Sequence, residues 1–549
     1  MAVVALTELG HGVDLAAAGP VVAHTVEHLP PEYNRARIAQ GLDIVLRHYR
    51  PLGGLISPKD ECFRLIEGKG PEVVQVALDG MPSEWADHAI ASAYAVLMPH
   101  SRRKALGIYF TPPHLVRHLL WRMTTLGLDI SRQCIRDPAA GGAAFLVPLA
   151  RRMVAAWRAE GLTNGAVLTM LRRRLVGLEI DRDLAEIANA LVRRMLVREY
   201  RFRPSAVRGL AVVRIEDALS RRFGDPPEHE VGNPPYRRLS ADEHAAMRER
   251  FGDIASGRLN LYAMFIRRAI TEVPLGGLVG HIVPASFLGG SEFAAFRRRM
   301  LELADVLVVD LIDQRSQVFL DATQDACFIV LRRRAAEVRG QDGWASSGLL
   351  RADGRFTPIG KIRLGGDGSP WHLVGGDGPS GVTLAEWGYR ALVGYLVAYR
   401  QTERMHVAPG EGRVPLIWAK AIRPDGTFDH AHGVSAKRPG WVSAPTDARY
   451  VVRDPCVVVQ RTSSRDQKRR ITAAAVPQAF LERHGGIIAE NHVLILVRSH
   501  SHAPPPEALA KVLNDPKVGQ ALDRVCGSAS IPLRLLEVLR LPPPMNRDC

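Results

Sequence analysis

Residues 176–197 read VGLEIDRDLAEIANALVRRMLV, and the way this stretch divides decides the fold. A short apolar run, Val176–Ile180, stops at Asp181 and gives way to an amphipathic stretch, Leu184–Val197. The first part has the length of a strand, the second the length and periodicity of a helix. The pairing recurs on both sides. Ala211–Ile215, Val279–Val283, Val306–Ile312 and Cys327–Leu331 read as strands, and Arg151–Ala159, Leu261–Ile270 and Glu292–Leu303 as helices. Strands alternating with helices over residues 105–335 predict an open, mostly parallel α/β sheet. Such sheets bind ligands beyond the carboxyl ends of their strands, so chemistry is expected in the loops that follow strands.

Outside this region the signals are weaker. Residues 1–104 carry helical pieces, Asn34–Tyr49 and Ser83–Met98, broken by Pro51–Gly54 and Pro58. A metal-dependent nuclease would need an Asp and then an acidic-x-Lys strand; Glu67-Gly68-Lys69 has the last part, but it sits in a Gly-rich loop. It is read as chance, and no metal site is expected. Residues 336–380 are rich in Gly, Ser and Asp and read as a linker or irregular entry. The remainder mixes short strands, Pro455–Val459 and His492–Val497, with helices. The chain thus divides into a helical N-terminal region of unknown role (1–104), an α/β domain (105–335), and a linker with a mixed α/β domain (336–549).

The 72 Lys and Arg against 57 Asp and Glu leave a formal charge of +15, an excess that suits a polyanion such as nucleic acid. The six cysteines are scattered with no CxxC pair, which fits a reducing cytoplasm. The N-terminus lacks the basic start of a signal peptide, and no apolar run is long enough to span a bilayer, so no membrane partner is expected.

Four loops carry chemistry. The small-residue turn from Asp137 through Ala139, Gly141 and Ala143 to Leu146 lets backbone approach a ligand closely, but its spacing is not that of a pyrophosphate cradle. A zwitterionic amino-acid moiety fits instead. Glu179, at a strand end, can accept both hydroxyl hydrogens of a ribose, while Asp181 caps the next helix. Asp217 can accept an amino hydrogen of an adenine, though a plain turn residue looks the same. The most specific stretch is Gly232-Asn233-Pro234-Pro235-Tyr236. An exocyclic amine such as adenine N6 is a poor nucleophile because its lone pair is delocalised. Two acceptors on its hydrogens, the Asn233 side-chain oxygen and the Pro234 carbonyl, would localise that pair toward a methyl sulfonium. The prolines fix the backbone, and Tyr236 offers a face on which a flipped base stacks.

The order of these motifs resembles that of the γ-class amino-methyltransferases of restriction–modification systems. The family's leading cofactor motif is similar to Gly107–Pro113, which adds Tyr109, Phe110, Thr111 and Pro112 to Asp137, Ala139, Gly141, Glu179, Ile180, Asp217, Asn233 and Pro235 as implied contacts of S-adenosyl-L-methionine. Asn233–Tyr236 resembles the catalytic tetrad. Leu259–Phe265 and Gly280–Phe287 resemble the elements that follow it, and Phe319 resembles the aromatic that covers the other face of the flipped base. Family members have Gly where Ala143 stands and often Asp where Asn260 stands.

The resemblance implies a Rossmann-like seven-stranded methyltransferase domain. It implies an adenine-specific enzyme that modifies double-stranded DNA beside a cognate restriction endonuclease or defence-system subunits. More weakly, Val459–Ser463, Glu490–His492 and Leu541–Pro544 are similar to the target-recognition domain of the Taq-type adenine enzymes. Arg461, Arg465, Lys468 and Arg469, among polar neighbours, are the expected DNA contacts there. Three other readings share parts of the pattern: an RNA adenine methyltransferase, a protein-glutamine methyltransferase, and a catalytically silent DNA-binding subunit.

Overall fold

The computed structural model describes residues 35–99, 102, 111–220, 226–312, 326–335, 342–351, 354–374, 381–398, 401–445, 448–462, 469–523, 531 and 533–544. The chain forms two compact units, one of residues 1–284 with 295–360, the other of 285–294 with 361–549.

Among the described residues, the first unit opens with the helices α1 (Arg35–Tyr49), α2 (Pro58–Ile66), α3 (Glu72–Asp79) and α4 (Ser83–Leu97). Helix α5 (Pro113–Thr125) leads into strand β1 (Ile135–Asp137). There follow α6 (Leu146–Ala159), α7 (Asn164–Arg174), β2 (Leu175–Glu179), α8 (Arg182–Tyr200), β3 (Val213–Ile215) and β4 (His229–Gly232). The unit continues with α9 (Ala241–Phe251), α10 (Leu261–Glu272), β5 (Leu278–Pro284), α11 (Ala294–Leu303), β6 (Ala304–Ile312), β7 (Ala326–Arg333) and β8 (Gly343–Leu350). These strands lie in the order β3-β2-β1-β4-β5-β7-β6-β8. Strands β3 to β5 are all parallel, and β7 runs antiparallel between β5 and β6. The predicted open, mostly parallel α/β sheet of seven strands is therefore present, with β8 added parallel to β6. Its order reverses direction beside β1, so the loops after β1, β2 and β4 converge where such sheets bind ligands.

Helices α1 to α4 bury Val45, Cys62, Leu65, Val74, Ile90 and Tyr94 in the same apolar cluster as Leu184, Leu191 and Ile135 of the sheet layer. Ion pairs from Lys59 to Glu186 and from Asp87 to Arg194 pin them on α8.

One sequence expectation needs correction. Residues 336–380 contain regular structure, namely β8, β9 (Phe356–Leu364) and β10 (His372–Val374). The serines that read as loop are satisfied within the ladder: Ser346 Oγ donates to Leu307 O at 3.0 Å and Ser347 Oγ to Val309 O at 2.6 Å. Ala345 and Leu350 are buried beside them, so small polar residues here pack a parallel strand.

Among the described residues, the second unit contains two four-stranded sheets. One joins β11 (Tyr389–Val393), β15 (Cys456–Gln460), β16 (Ala473–Ala475) and β18 (Val493–Arg498). The other joins β12 (Met405–His406), β13 (Arg413–Ile417), β14 (Trp441–Ser443) and β17 (Ile488–Ala489). Val457, Leu494, Leu496 and Leu509 form one core of this unit. Among the described residues no helix is long and apolar enough to cross a membrane.

Candidate active site

The site is built from the carboxyl ends of β1, β2, β3 and β4 and the loops that follow them. After β1, Asp137 is buried and its Oδ1 accepts the Ala139 N–H at 3.1 Å. Gly141 has φ +49°, a left-handed conformation that glycine adopts without cost. Ala143 is also left-handed, with φ +61°, a conformation that a residue with a Cβ rarely adopts. Burial, with Glu230 and Glu179 nearby, holds the Asp137 carboxyl well above its ordinary range against the backbone bond from Ala139. A cationic group bound beside it would favour its charged form.

After β2, Glu179 Oε2 accepts the Gly141 N–H at 2.8 Å and Oε1 accepts the Asp181 N–H at 2.9 Å. Burial raises its carboxyl from the usual value, with those amides pulling the other way. A carboxylate has further lone pairs, so both amides leave it capacity for a hydroxyl. Asp181 caps α8 through the Asp183 and Leu184 amides, and also receives the Tyr94 hydroxyl at 3.2 Å and Arg102 at 2.9 Å. After β3, Asp217 Oδ1 accepts the Leu219 N–H at 2.8 Å, the bond of a turn. Two large apolar side chains stand exposed at the ends of these strands, Ile180 at 62% and Ile215 at 46%. Ile215 was not singled out from the sequence. An apolar residue one position before an acidic turn was the available signal.

After β4 comes the Asn233 loop. Gly232 lets it approach the first loop: a Cβ there would stand 2.9 Å from Asp137 Oδ1 and 3.1 Å from Pro138 Cδ. Asn233 Nδ2 donates to Thr111 Oγ1 at 3.0 Å, and its Oδ1 accepts the Tyr236 hydroxyl at 2.6 Å. That hydroxyl also lies 3.2 Å from Ile282 O of β5. Pro234 is buried, and Asn233, Pro235 and Tyr236 are partly buried. The chain leaves the loop through paired backbone bonds, Leu239 N to Leu259 O and Leu261 N to Arg237 O. Thr111 itself is buried and lines a pocket with Glu84, Asp87, His88, Gly142 and Ala143. Helix α4 of the N-terminal region is therefore part of the wall beside the site.

Beneath the site lies a buried ion cluster. Glu230 of β4 is fully buried and takes Arg136 of β1 and Arg268 of α10 at 2.6 and 2.7 Å, with His281 of β5 at 3.3 Å. Burial alone would push the Glu230 carboxyl up, but Arg268, Arg136 and His281 hold it well below the usual carboxylate range. The cluster ties together the strands that carry Asp137 and Asn233. Sequence reasoning missed it because its members lie far apart along the chain.

Of the residues expected from the sequence, bonds join Asn233 to Thr111 and Tyr236, Asp137 to Ala139, and Glu179 to Gly141, and the close approach at Gly232 brings the Asn233 loop against Asp137. Pro112 caps α5, whose first residue is Pro113. Tyr109, Phe110, Phe319, Arg465 and Lys468 lie outside the described residues. In the second unit, Arg469 is exposed. Arg461 is half-buried, and its guanidinium donates to Asn491 O at 3.0 Å, which gives it a structural bond within its own unit.

The sheet order and the loops at its carboxyl edge define an open, doubly wound Rossmann-like fold for the first unit. Comparison with known families makes this more particular: residues 231–319 match the family model described as Eco57I restriction-modification methylase. Among curated proteins, the chain is 24% identical over 275 residues to the Type II methyltransferase M.BsuBI of Bacillus subtilis, covering 45% of this chain and 51% of that one. It is 30% identical over 233 residues to the Type II methyltransferase M.XhoI of Xanthomonas vasicola, covering 41% of each. The chain spans about half the length, or less, of these curated relatives. Among solved structures, a DrdV–DNA complex aligns with a TM-score of 0.46 and 13% identity over 85% of this chain and 59% of that one.

Proposed function

We propose that the chain is an S-adenosylmethionine-dependent DNA methyltransferase that modifies the N6 amine of adenine as part of a restriction–modification system. The observation that carries this reading is the Asn233 amide, held at both ends and placed directly after the strand that lies against Asp137. The similarity to Type II methyltransferases supports DNA as the substrate class. S-adenosylmethionine, when bound, supplies a methyl group on a sulfonium, whose carbon–sulfur bond breaks as the carbon–nitrogen bond forms. Asp137 is the group suited to its cationic end, Glu179 to its ribose, and exposed Ile180 and Ile215 to its flat, apolar adenine. Asn233 Oδ1 and the Pro234 carbonyl accept the two hydrogens of the target amine and raise its nucleophilicity. The spent proton passes to solvent. Because N6 is buried in a stacked duplex, the base leaves the helix, and the ring of Tyr236 offsets part of that cost.

The direct test is to express the chain in a methylation-free host and sequence its modified bases. N6-methyladenine at one short motif is the expected result, and unmodified DNA from a host containing the folded protein would reject the reading. Glu179→Ala should weaken S-adenosylmethionine binding by about 1.5–3 kcal/mol, because a charged acceptor loses its hydroxyl partners. Isothermal titration checks this, and unchanged affinity would remove Glu179 from the ribose site.

The exposed Arg469, with Arg465 and Lys468, is proposed to contact DNA phosphates. Arg469→Ala should then weaken binding to all sequences alike and lower the salt slope of log affinity by about one. A change confined to one sequence would instead make Arg469 a base reader.

A further inference from the structure

We propose that Thr111 is a positioning residue for methyl transfer, holding the Asn233 amide so that its oxygen faces the target amine; this rests on the reading of Asn233 given above. The two ends of an asparagine amide are nearly equal in shape, but only the oxygen accepts a hydrogen bond. A half-turn of the side chain would aim two N–H donors at the amine and abolish its activation.

Two contacts oppose that turn, the Thr111 Oγ1 bond to Nδ2 at 3.0 Å and the Tyr236 hydroxyl bond to Oδ1 at 2.6 Å. They are not equivalent during the reaction. The Tyr236 hydroxyl and the target amine are both donors that meet the oxygen end, and the hydroxyl also has Ile282 O at 3.2 Å to turn to. The Thr111 bond holds the nitrogen end, where no substrate hydrogen competes with it.

Thr111 is well placed for this task. It is 4% exposed and stands next to Pro112, whose φ of −61° is fixed by its ring. Helix α5, which starts at Pro113, is clamped to the sheet. Arg122 makes two bonds to the buried Asp310 of β6, at 2.6 and 2.8 Å, and His118 a third at 2.8 Å. The hydroxyl is therefore carried by a rigid element, as an orienting partner must be.

The test uses the full-length protein, labelled S-adenosylmethionine and unmethylated plasmid DNA. Thr111→Val keeps the shape and removes the hydroxyl; kcat should fall about tenfold or more, the scale of one orienting hydrogen bond, with KM for the cofactor changed less than about twofold. Thr111→Ser should restore most of the rate. On an Asn233→Ala background, Thr111→Val should cost nothing further, whereas damage to packing would add to the loss. A Thr111→Val enzyme with full kcat while Asn233→Ala is inactive overturns the positioning role and leaves the tetrad reading intact. Weaker cofactor binding at unchanged kcat also overturns it and makes Thr111 a cofactor contact. An active Asn233→Ala enzyme rejects the tetrad reading itself, and this proposal with it.

Discussion

Asn233→Ala should lower the rate of methyl transfer to DNA by about 10²-fold or more, with cofactor and DNA affinities close to those of the unaltered protein. The side-chain oxygen is one of only two acceptors available to the amine hydrogens, and its bond strengthens as the nitrogen becomes more acidic along the reaction. Loss of a single bond of this kind, made chiefly in the transition state, has that magnitude in other enzymes. Few structural consequences are expected. Asn233 is only partly buried, and its two partners, Thr111 Oγ1 and the Tyr236 hydroxyl, keep access to water or to Ile282 O. Single-turnover transfer from labelled cofactor, beside titration of cofactor binding, separates the two effects. A variant that kept most of its rate would mean that the loop is a turn and nothing more.

The second large effect concerns stability. Glu230→Ala should destabilise the first unit by about 3 kcal/mol, because it removes the fully buried one of the two counter-ions that Arg136 and Arg268 share and leaves them Glu272 alone. The apparent melting temperature should drop by several degrees, read by scanning calorimetry. The pH dependence follows from the direction of the Glu230 shift. Its carboxyl is held below the ordinary value of 4.5 by the two arginines and His281 against the opposing pull of burial. A group whose native pKa is depressed contributes stability that is fully present above the unfolded value and disappears as pH falls through the native one. The gap between unaltered protein and variant should therefore be widest at neutral pH and shrink below about pH 4.5. A gap that stayed constant into acid would show that lost packing, and not the ion cluster, sets the cost.

Local periodicity made the sheet layer legible. Val176–Ile180 against Leu175–Glu179, and Leu184–Val197 against Arg182–Tyr200, differ only at their ends. Helix and strand impose different spacings on apolar residues, and that spacing survives in a single sequence. Strand β8 escaped the same reading. Gly343, Ser346, Ser347 and Gly348 carry the composition of a loop, and only the neighbouring β6 backbone supplies the acceptors that make serines acceptable in a buried strand.

The candidate site divides along the same line. The sequence by itself placed Glu179 and Asp217 at the ends of recognisable strand patterns and marked Asp137 and Asn233 by the motifs they open. Only the tertiary structure decided their partners. Thr111 meets Asn233 across 122 positions of chain, Gly141 meets Glu179 across 38, and Arg136 meets Glu230 across 94. Hydrogen bonds and ion pairs depend on separation in space, which strand order and register set, and neither leaves a mark in the local spacing of residues.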